Sequence, residues 1–284
     1  MNFVLRRSAR AVSRPRRIFV SVPESMALFA TALFASGVAQ ASDCTIHYSG
    51  FSNAGLPLER IDCRQVINDT GVDWCTDGSS HFEPCGQVDY PGQDGDFGRD
   101  ALAAQDNLPK QGSGVAGFDY TKIDADGLEL PSSASVWSCV RDNHTGLIWE
   151  VKTTDDGPRD RSRQFTWFNP DSTENGGVPG DDCPAHAICD THDYQAYVNE
   201  LALCGRTNWR LPSRIQLRSL VYHGASDGGV GMDESFFPNY VSANYWSATT
   251  LAENPDRAWE LRFYDGRFGT TGKILDRAVR LVAP

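Results

Sequence analysis

The sequence predicts an α+β fold in which two helices pack on a twisted antiparallel sheet. Three observations support this prediction. Helical periodicity and capping signals are concentrated in residues 190–222. Runs that alternate apolar and polar residues follow in residues 245–282, as is typical of strands. Eight cysteines are spread over residues 44–204, which predicts a loop-rich chain stapled by disulfides.

The first helix is predicted to begin at Asp190 or Thr191, because short side-chain oxygens accept hydrogen bonds from the free amides of a first helical turn. Its apolar face repeats at helical spacing and consists of Tyr194, Tyr197, Val198 and Leu201. Gly205 then occupies the position expected for a left-handed helix end.

The second helix is predicted to begin at Ser213, which forms a capping box with Gln216. Leu217, Leu220 and Val221 give its buried face, and Gly224 is expected to end it. Pro212 pushes the residue before it away from helical angles, so residues 208–211 are expected to form an extended link between the two helices.

Strands are predicted on both sides of this helix pair. An early strand covers residues 147–151, and later ones cover 245–249, 258–264 and 278–282. Asp265-Gly266, directly after the strand over 258–264, is a strong hairpin signal, and residues 278–282 are the closing strand.

Residues 1–41 have the features of an export signal. Six arginines precede an apolar stretch over residues 26–38, and Ala39-Gln40-Ala41 fits a signal-peptide cleavage site. The remainder divides into a turn-rich, disulfide-containing leader over 42–135 and a domain over 136–284. We expect an exported protein, either periplasmic or secreted to the cell surface.

The charge of the chain restricts its partners. The net charge is −11, and removing residues 1–41, with their six arginines and single glutamate, leaves −16. Such a charge argues against nucleic acid as a partner. No second long apolar segment follows the export signal, so no membrane span is expected after it is removed.

All eight cysteines follow the predicted cleavage site, and an even number in an exported chain indicates disulfides. Of the 105 possible sets of pairs, the expected set is Cys44–Cys63, Cys75–Cys85, Cys183–Cys189 and Cys139–Cys204.

Carboxylates and glycines alternate in residues 89–100, and Asp94, Asp96 and Asp100 are the candidate metal ligands. Ca²⁺ takes six to eight oxygen ligands, so such a loop is a candidate calcium site. The alternative is ordinary turn chemistry, in which the same aspartates bond backbone amides. No other cofactor is expected.

The long polar loop over residues 153–182 contains a short aromatic patch. If exposed, Trp167 and Phe168 beside polar side chains would suit stacking on a sugar, and core packing of the same rings is the alternative. The candidate ligand-binding residues of this loop are Trp167, Phe168, Asn175, Asp181 and Asp182.

Signals for catalysis are absent from the sequence. The six histidines lack the spacing of an H-E-x-x-H metal motif, and no G-x-S-x-G nucleophile elbow occurs. We therefore expect no catalytic residues and a non-catalytic protein.

An ordered set of short motifs resembles the Lcl C-terminal domain-like family, named from a bacterial collagen-like adhesin. The motifs are residues 139–152 (CVRDNHTGLIWEVK), 204–205 (CG), 209–212 (WRLP), 237–239 (FPN), 245–247 (YWS) and 279–282 (VRLV). The resemblance covers about residues 136–283. It implies a fold similar to C-type lectins and formylglycine-generating enzymes.

The resemblance also implies which residues hold the domain together. These structural residues are Asp142, Asn143, Thr145, Glu150, Trp209 and Arg210. The Arg210 guanidinium is expected to bond buried backbone carbonyls or to pair with Glu150.

Three classes of function remain open. The first is a binding or adhesion module that recognises a glycan or a surface protein, as the family namesake implies. The second is a structural envelope protein without a small ligand, and the third is a carbohydrate-active enzyme. The oligomeric state is left open.

Overall fold

The computed structural model describes residues 45–51, 57–62, 67–171, 176–177, 179–180, 188–224 and 229–284. For residues 45–51 and 57–62 it describes the backbone alone. All of these residues belong to one compact unit, which covers Gln40–Pro284. The predicted export signal and six of the residues singled out in the sequence lie outside the described residues, namely Cys44, Cys63, Asn175, Asp181, Asp182 and Cys183.

The described strands, in chain order, are β1 (Thr45–Phe51), β2 (Pro57–Asp62), β3 (Tyr120–Ile123), β4 (Glu129–Leu130), β5 (Cys139–Asp142), β6 (Ile148–Glu150), β7 (Gln164–Phe165), β8 (Asn244–Thr250), β9 (Arg257–Arg262), β10 (Phe268–Gly272), β11 (Arg277–Ala278) and β12 (Val282–Ala283). The described α-helices are α1 (Gly98–Ala104), α2 (Thr191–Glu200) and α3 (Arg214–Arg218). Helices and mostly antiparallel strands occupy separate parts of the chain, so the α+β prediction is confirmed.

The described strands form a hairpin and two five-stranded sheets, whereas the sequence predicted one antiparallel sheet. Strands β1 and β2 pair with each other. The first large sheet has the order β12-β6-β5-β3-β4 and is antiparallel throughout. The second has the order β10-β9-β8-β11-β7 and is mixed, because β11 runs parallel to β8. Since β3 and β4 precede residue 135, the leader contributes two strands to a sheet of the family-like domain.

Both faces of the first sheet are buried. Val140 and Trp149 face a core that includes Leu217 and Tyr245, whereas Cys139 and Ile148 face a second core with residues of α2. Side chains alternate between the faces of a strand, so a strand covered on both sides reads as a continuous apolar run. This explains why every residue of β6, including Glu150, is buried.

The capping signals of both helices are confirmed. The Asp190 side chain accepts hydrogen bonds from the amides of His192 and Asp193. Ser213 and Gln216 form the predicted capping box of α3. Gly205 has a positive φ of 68°.

Two details of the helix prediction are wrong. Leu201 is 48% exposed, because α2 ends at Glu200 and the chain turns through a left-handed Ala202 toward Cys204. The second helix stops at Arg218 rather than near Gly224. Beyond it, the backbone of Tyr222 pairs with Gly231 and the amide of His223 donates to Thr70, so tertiary pairing replaces helical bonds.

The predicted closing strand over residues 278–282 is divided between the two sheets. Ala278 pairs with Gln164 and Tyr245, whereas Val282 pairs with Trp149. The chain crosses from one sheet to the other between them, where the Arg280 side chain is fully buried.

Two expected disulfides are confirmed. Cys75–Cys85 closes a short loop, and Cys139–Cys204 joins β5 to the turn after α2. Cys189 is also disulfide-bonded, and its expected partner, Cys183, lies outside the described residues.

We expect the two bridges to differ in their effect on stability. Cys139–Cys204 spans 65 residues and Cys75–Cys85 spans 10, so loop entropy assigns about 4 and about 3 kcal/mol respectively. Urea unfolding of the paired Cys→Ala variants, followed by tryptophan fluorescence, should show the larger loss for Cys139→Ala/Cys204→Ala. An equal or reversed order would contradict this expectation.

Candidate functional site

A buried ionic cluster surrounds the Glu150 carboxylate, which is fully buried. Its Oε1 lies 3.4 Å from Lys152 Nζ and 3.4 Å from Arg159 Nε, and it accepts a hydrogen bond from the Tyr194 hydroxyl. Its Oε2 accepts a bond from the Leu281 amide. The carboxylate therefore connects β6 to the loop after it, to α2 and to the crossing segment between the two sheets.

The charges in this cluster perturb one another. Burial by itself raises the pKa of Glu150, but the positive charges of Lys152 and Arg159 outweigh it and hold that pKa below its usual value. Burial lowers the pKa of Lys152 to about 8, against the opposing pull of Glu150. Glu150, Lys152 and Tyr194 are buried and Arg159 is partly buried, so the geometry of the cluster suits structural cohesion.

The other motif residues hold turns and links. Asp142 accepts bonds from the amides of His144 and Thr145, and Thr145 Oγ1 accepts one from the Leu147 amide. Asn143 donates to Asp119 in the leader. These bonds fix the turn between β5 and β6.

The two motif residues that follow α2 bond the chain near them. Trp209 Nε1 donates to the Leu203 carbonyl. Arg210 Nη1 donates to the Leu211 carbonyl and to Gln216 Oε1, at 3.1 and 3.0 Å. Of the two expected arrangements, the guanidinium therefore adopts the bond to a backbone carbonyl, and it does not pair with Glu150.

The candidate calcium ligands bond the chain instead. Asp96 accepts hydrogen bonds from the amides at positions 86, 92 and 93, and Asp100 accepts from the amides of Gly71 and Gly117. Asp94 accepts a bond from the Thr70 hydroxyl. Within the described part of the chain, these three carboxylates do not converge on one point. Five of their six oxygens already accept hydrogen bonds, so these residues show the turn chemistry given as the alternative.

One group of potential ligand atoms does converge near this loop, namely Cys75, Cys85 and Asp96. The two cysteines are joined in a disulfide. Metal ligation by cysteine requires a thiolate, so this group does not fit a metal site either.

A cavity of about 260 Å³ opens where α2, β8 and two connecting segments meet. Its lining residues are Trp167, Phe168, Asn169, Thr191, His192, Gln195, Arg210, Leu211, Ser213 and Ala248. Among the described residues, the lining combines aromatic rings, amides, hydroxyls and one guanidinium, and it contains no carboxylate.

Hydrogen bonds fix the walls of this cavity. Thr191 Oγ1 accepts a bond from the Phe168 amide at 3.0 Å and donates to the Phe168 carbonyl at 2.9 Å. The Ala248 amide donates to the Pro212 carbonyl at 2.7 Å. The aromatic loop is thereby held on the first turn of α2, and the link before α3 is held on β8.

Two predicted ligand-binding residues line the cavity. Trp167 takes the core alternative, because its ring is 2% exposed and its Nε1 donates to the Ser247 carbonyl at 2.9 Å. Phe168 is half-buried and lies edge-on to the His192 ring. Phe168 is therefore the more accessible aromatic surface.

The sequence did not identify the other side of the cavity. Thr191, His192 and Gln195 follow the predicted N-cap, and Arg210 and Ser213 belong to the predicted link. The sequence did predict where the first helix begins and that a Pro-containing link connects the two helices. Neither prediction indicates which side chains of these segments face the same cavity.

Among the described residues, no helix combines the length and apolar character that a membrane span requires.

Removing the charge of Glu150 should destabilise the fold strongly. Glu150→Gln leaves the buried Lys152 and the partly buried Arg159 without the carboxylate that they pair with, and such a loss costs about 3–5 kcal/mol. Denaturant unfolding measures this cost. Adding Lys152→Met should restore part of the stability.

Glu129→Gln is the matched control, because Glu129 pairs with Arg141 at the surface with a 58% exposed side chain. Exposed pairs contribute about 0–1 kcal/mol. Equal losses for the two variants would contradict the role assigned to Glu150.

Asp100 should make stability depend on pH. Burial, with the charges of Asp69 and Asp94, raises the pKa of Asp100 to about 6 from 3.8. Between these values the folded carboxyl keeps its proton while the unfolded one has lost it. Its contribution to stability therefore falls as pH rises from about 4 to about 6.

The Asp100→Asn variant removes this titration. An amide oxygen replaces only one of two acceptors, so the variant should be less stable at every pH. Relative to wild type, however, it should gain stability between pH 4 and pH 7. Unfolding midpoints across this range measure the difference, and parallel curves would contradict it.

Comparison with known proteins identifies the family to which the chain belongs. No curated protein and no solved structure matches the chain. The family model described as the Lcl C-terminal domain matches residues 138–283, just over half of the 284 residues. The matched region contains the buried cluster, the Cys139–Cys204 bridge and every described residue that lines the cavity. The protein therefore belongs to the Lcl C-terminal domain family.

Proposed function

We propose that the protein is an exported, non-catalytic binding module that holds a sugar ring or a similar small polar group in the cavity beside α2. The observation that carries this proposal is the composition of the cavity, which combines an accessible phenyl ring with amide and hydroxyl groups. Ligand pockets typically join apolar walls to a few fixed polar groups.

The size of the cavity supports a small ligand. Its volume of about 260 Å³ lies below the roughly 300–1,000 Å³ of pockets that enclose drug-sized molecules. A single ring or the terminal residue of a chain suits this volume better than an extended oligosaccharide does.

The fixed geometry of the walls also supports binding. Phe168 is held by two hydrogen bonds to Thr191. Ser213 and Gln216 form a capping box, so the link beside the cavity is anchored at its helical end. Preformed walls reduce the ordering cost that a ligand otherwise pays on binding.

The family and the disulfides support the remaining parts of the proposal. Disulfides persist in oxidising compartments outside the cytosol. Membership of the Lcl C-terminal domain family supports a C-type-lectin-like arrangement, in which recognition belongs to loops over a stapled scaffold. A glycan or a glycosylated surface protein is the partner class that follows.

Filling the cavity should abolish binding without unfolding the protein. Ala248 lines the cavity and its side chain is exposed, so Ala248→Phe places a ring in the binding space. A glycan array of the oxidised protein should identify a bound sugar. Calorimetric titration should then show at least a tenfold weaker affinity for the variant, about 1.4 kcal/mol.

Ala252→Phe is the matched control, because Ala252 is exposed and does not line the cavity. Thermal unfolding of both variants monitors folding. Failure of the array to detect any sugar would overturn the proposal, as would equal binding by the Ala248→Phe and Ala252→Phe variants.

A further inference from the structure

We infer that the cavity selects an acidic sugar, whose carboxylate binds the free edge of the Arg210 guanidinium. This inference rests on the proposed function, since it names the class of ligand that the same cavity takes.

The Arg210 guanidinium is only partly used by the protein. Both of its hydrogen bonds come from Nη1, one to the Leu211 carbonyl and one to Gln216 Oε1. Within the described residues, Nε and Nη2 have no hydrogen-bond partner, and no carboxylate forms an ion pair with this side chain. These two nitrogens share one edge of the planar group.

That edge matches a carboxylate. The N–H bonds of Nε and Nη2 are parallel, so they can donate to both oxygens of one carboxylate, in the two-point geometry for which arginine is favoured over lysine. The two bonds made by Nη1 hold the guanidinium in place, so less side-chain entropy is lost when a ligand binds.

The surroundings leave the charge of Arg210 uncompensated. The side chain is half-buried, and burial lowers its pKa. None of the ten lining residues is acidic. Two acidic residues, Asp190 and Asp193, border the lining residues of α2 in sequence, and neither forms an ion pair with Arg210. The Asp190 Oδ1 accepts the amides of His192 and Asp193 at 2.9 Å each.

The remaining lining groups suit the rest of a sugar. Gln195 and Ser213 have side-chain groups that can bond hydroxyl groups, and Phe168 offers an apolar face. The net charge of −11 opposes the approach of a long polyanion. A single carboxylate is opposed less, because salt screens charges more than about 8 Å away.

The experiment compares three probes with the oxidised full-length protein at physiological ionic strength, where the net negative charge is screened. The probes are D-glucuronate, its neutral methyl ester and D-glucose, titrated by calorimetry or by NMR. We expect D-glucuronate to bind roughly tenfold more tightly than either neutral probe, because a charge-assisted hydrogen-bonded pair contributes about that much to affinity. This comparison uses the unaltered protein, so it does not depend on the folding of a variant.

Two variants then test the assigned residue. Arg210→Lys keeps the charge and removes the two-donor edge, and Arg210→Gln removes both. Both should lose the preference for D-glucuronate. Arg206→Gln makes the same change in net charge at an exposed position that does not line the cavity, so it should keep the preference.

The outcomes separate this inference from the proposed function. Equal binding of charged and neutral probes, both blocked by Ala248→Phe, would overturn the inference and leave the proposed function standing. A preference that survives in Arg210→Gln would overturn the role of Arg210. Absence of binding by all three probes, together with a blank glycan array, would overturn both.

Discussion

The buried Glu150 carboxylate is the constraint on which the rest of the domain depends. Removing a charge from water costs several kcal/mol unless partners surround it, so the chain must bring its partners to β6. Tyr194 comes from α2, Lys152 and Arg159 come from the segment after β6, and the Leu281 amide comes from the crossing segment. One carboxylate therefore joins β6 to α2, to the segment after β6 and to the crossing segment.

The same constraint positions the cavity. Tyr194 lies on α2 between Thr191, His192 and Gln195, which form one wall, so fixing Tyr194 on Glu150 fixes that wall. One residue beyond Leu281, Val282 exchanges backbone hydrogen bonds with Arg210, which lies in the opposite wall. The family motifs around Glu150 and Arg210 are far apart in sequence, but in the fold they belong to one arrangement. Structural and recognition roles are thus adjacent in this domain.

The sequence predicted the features that depend on interactions between neighbouring residues. The Asp190 cap, the Ser213–Gln216 box and the Asp265-Gly266 turn between β9 and β10 each depend on a few neighbouring residues, and each was predicted. The exposure of Leu201 and the division of residues 278–282 between two sheets were not predicted. Those features depend on where distant strands lie, and an apolar run does not state which sheet it joins. Burial of Trp167 remained open for the same reason.

The case of Arg210 shows why the cavity could be anticipated only in part. From sequence, an arginine in a structural motif is expected to bond backbone carbonyls, and Nη1 does so. The five donors of a guanidinium exceed what that task needs, and only the fold determines where the others point. Among the described residues, Nε and Nη2 have no hydrogen-bond partner, and they are not among the buried atoms of the fold, so an incoming carboxylate can reach them. The protein supplies none among its described residues, and for that reason the partner is sought in the ligand.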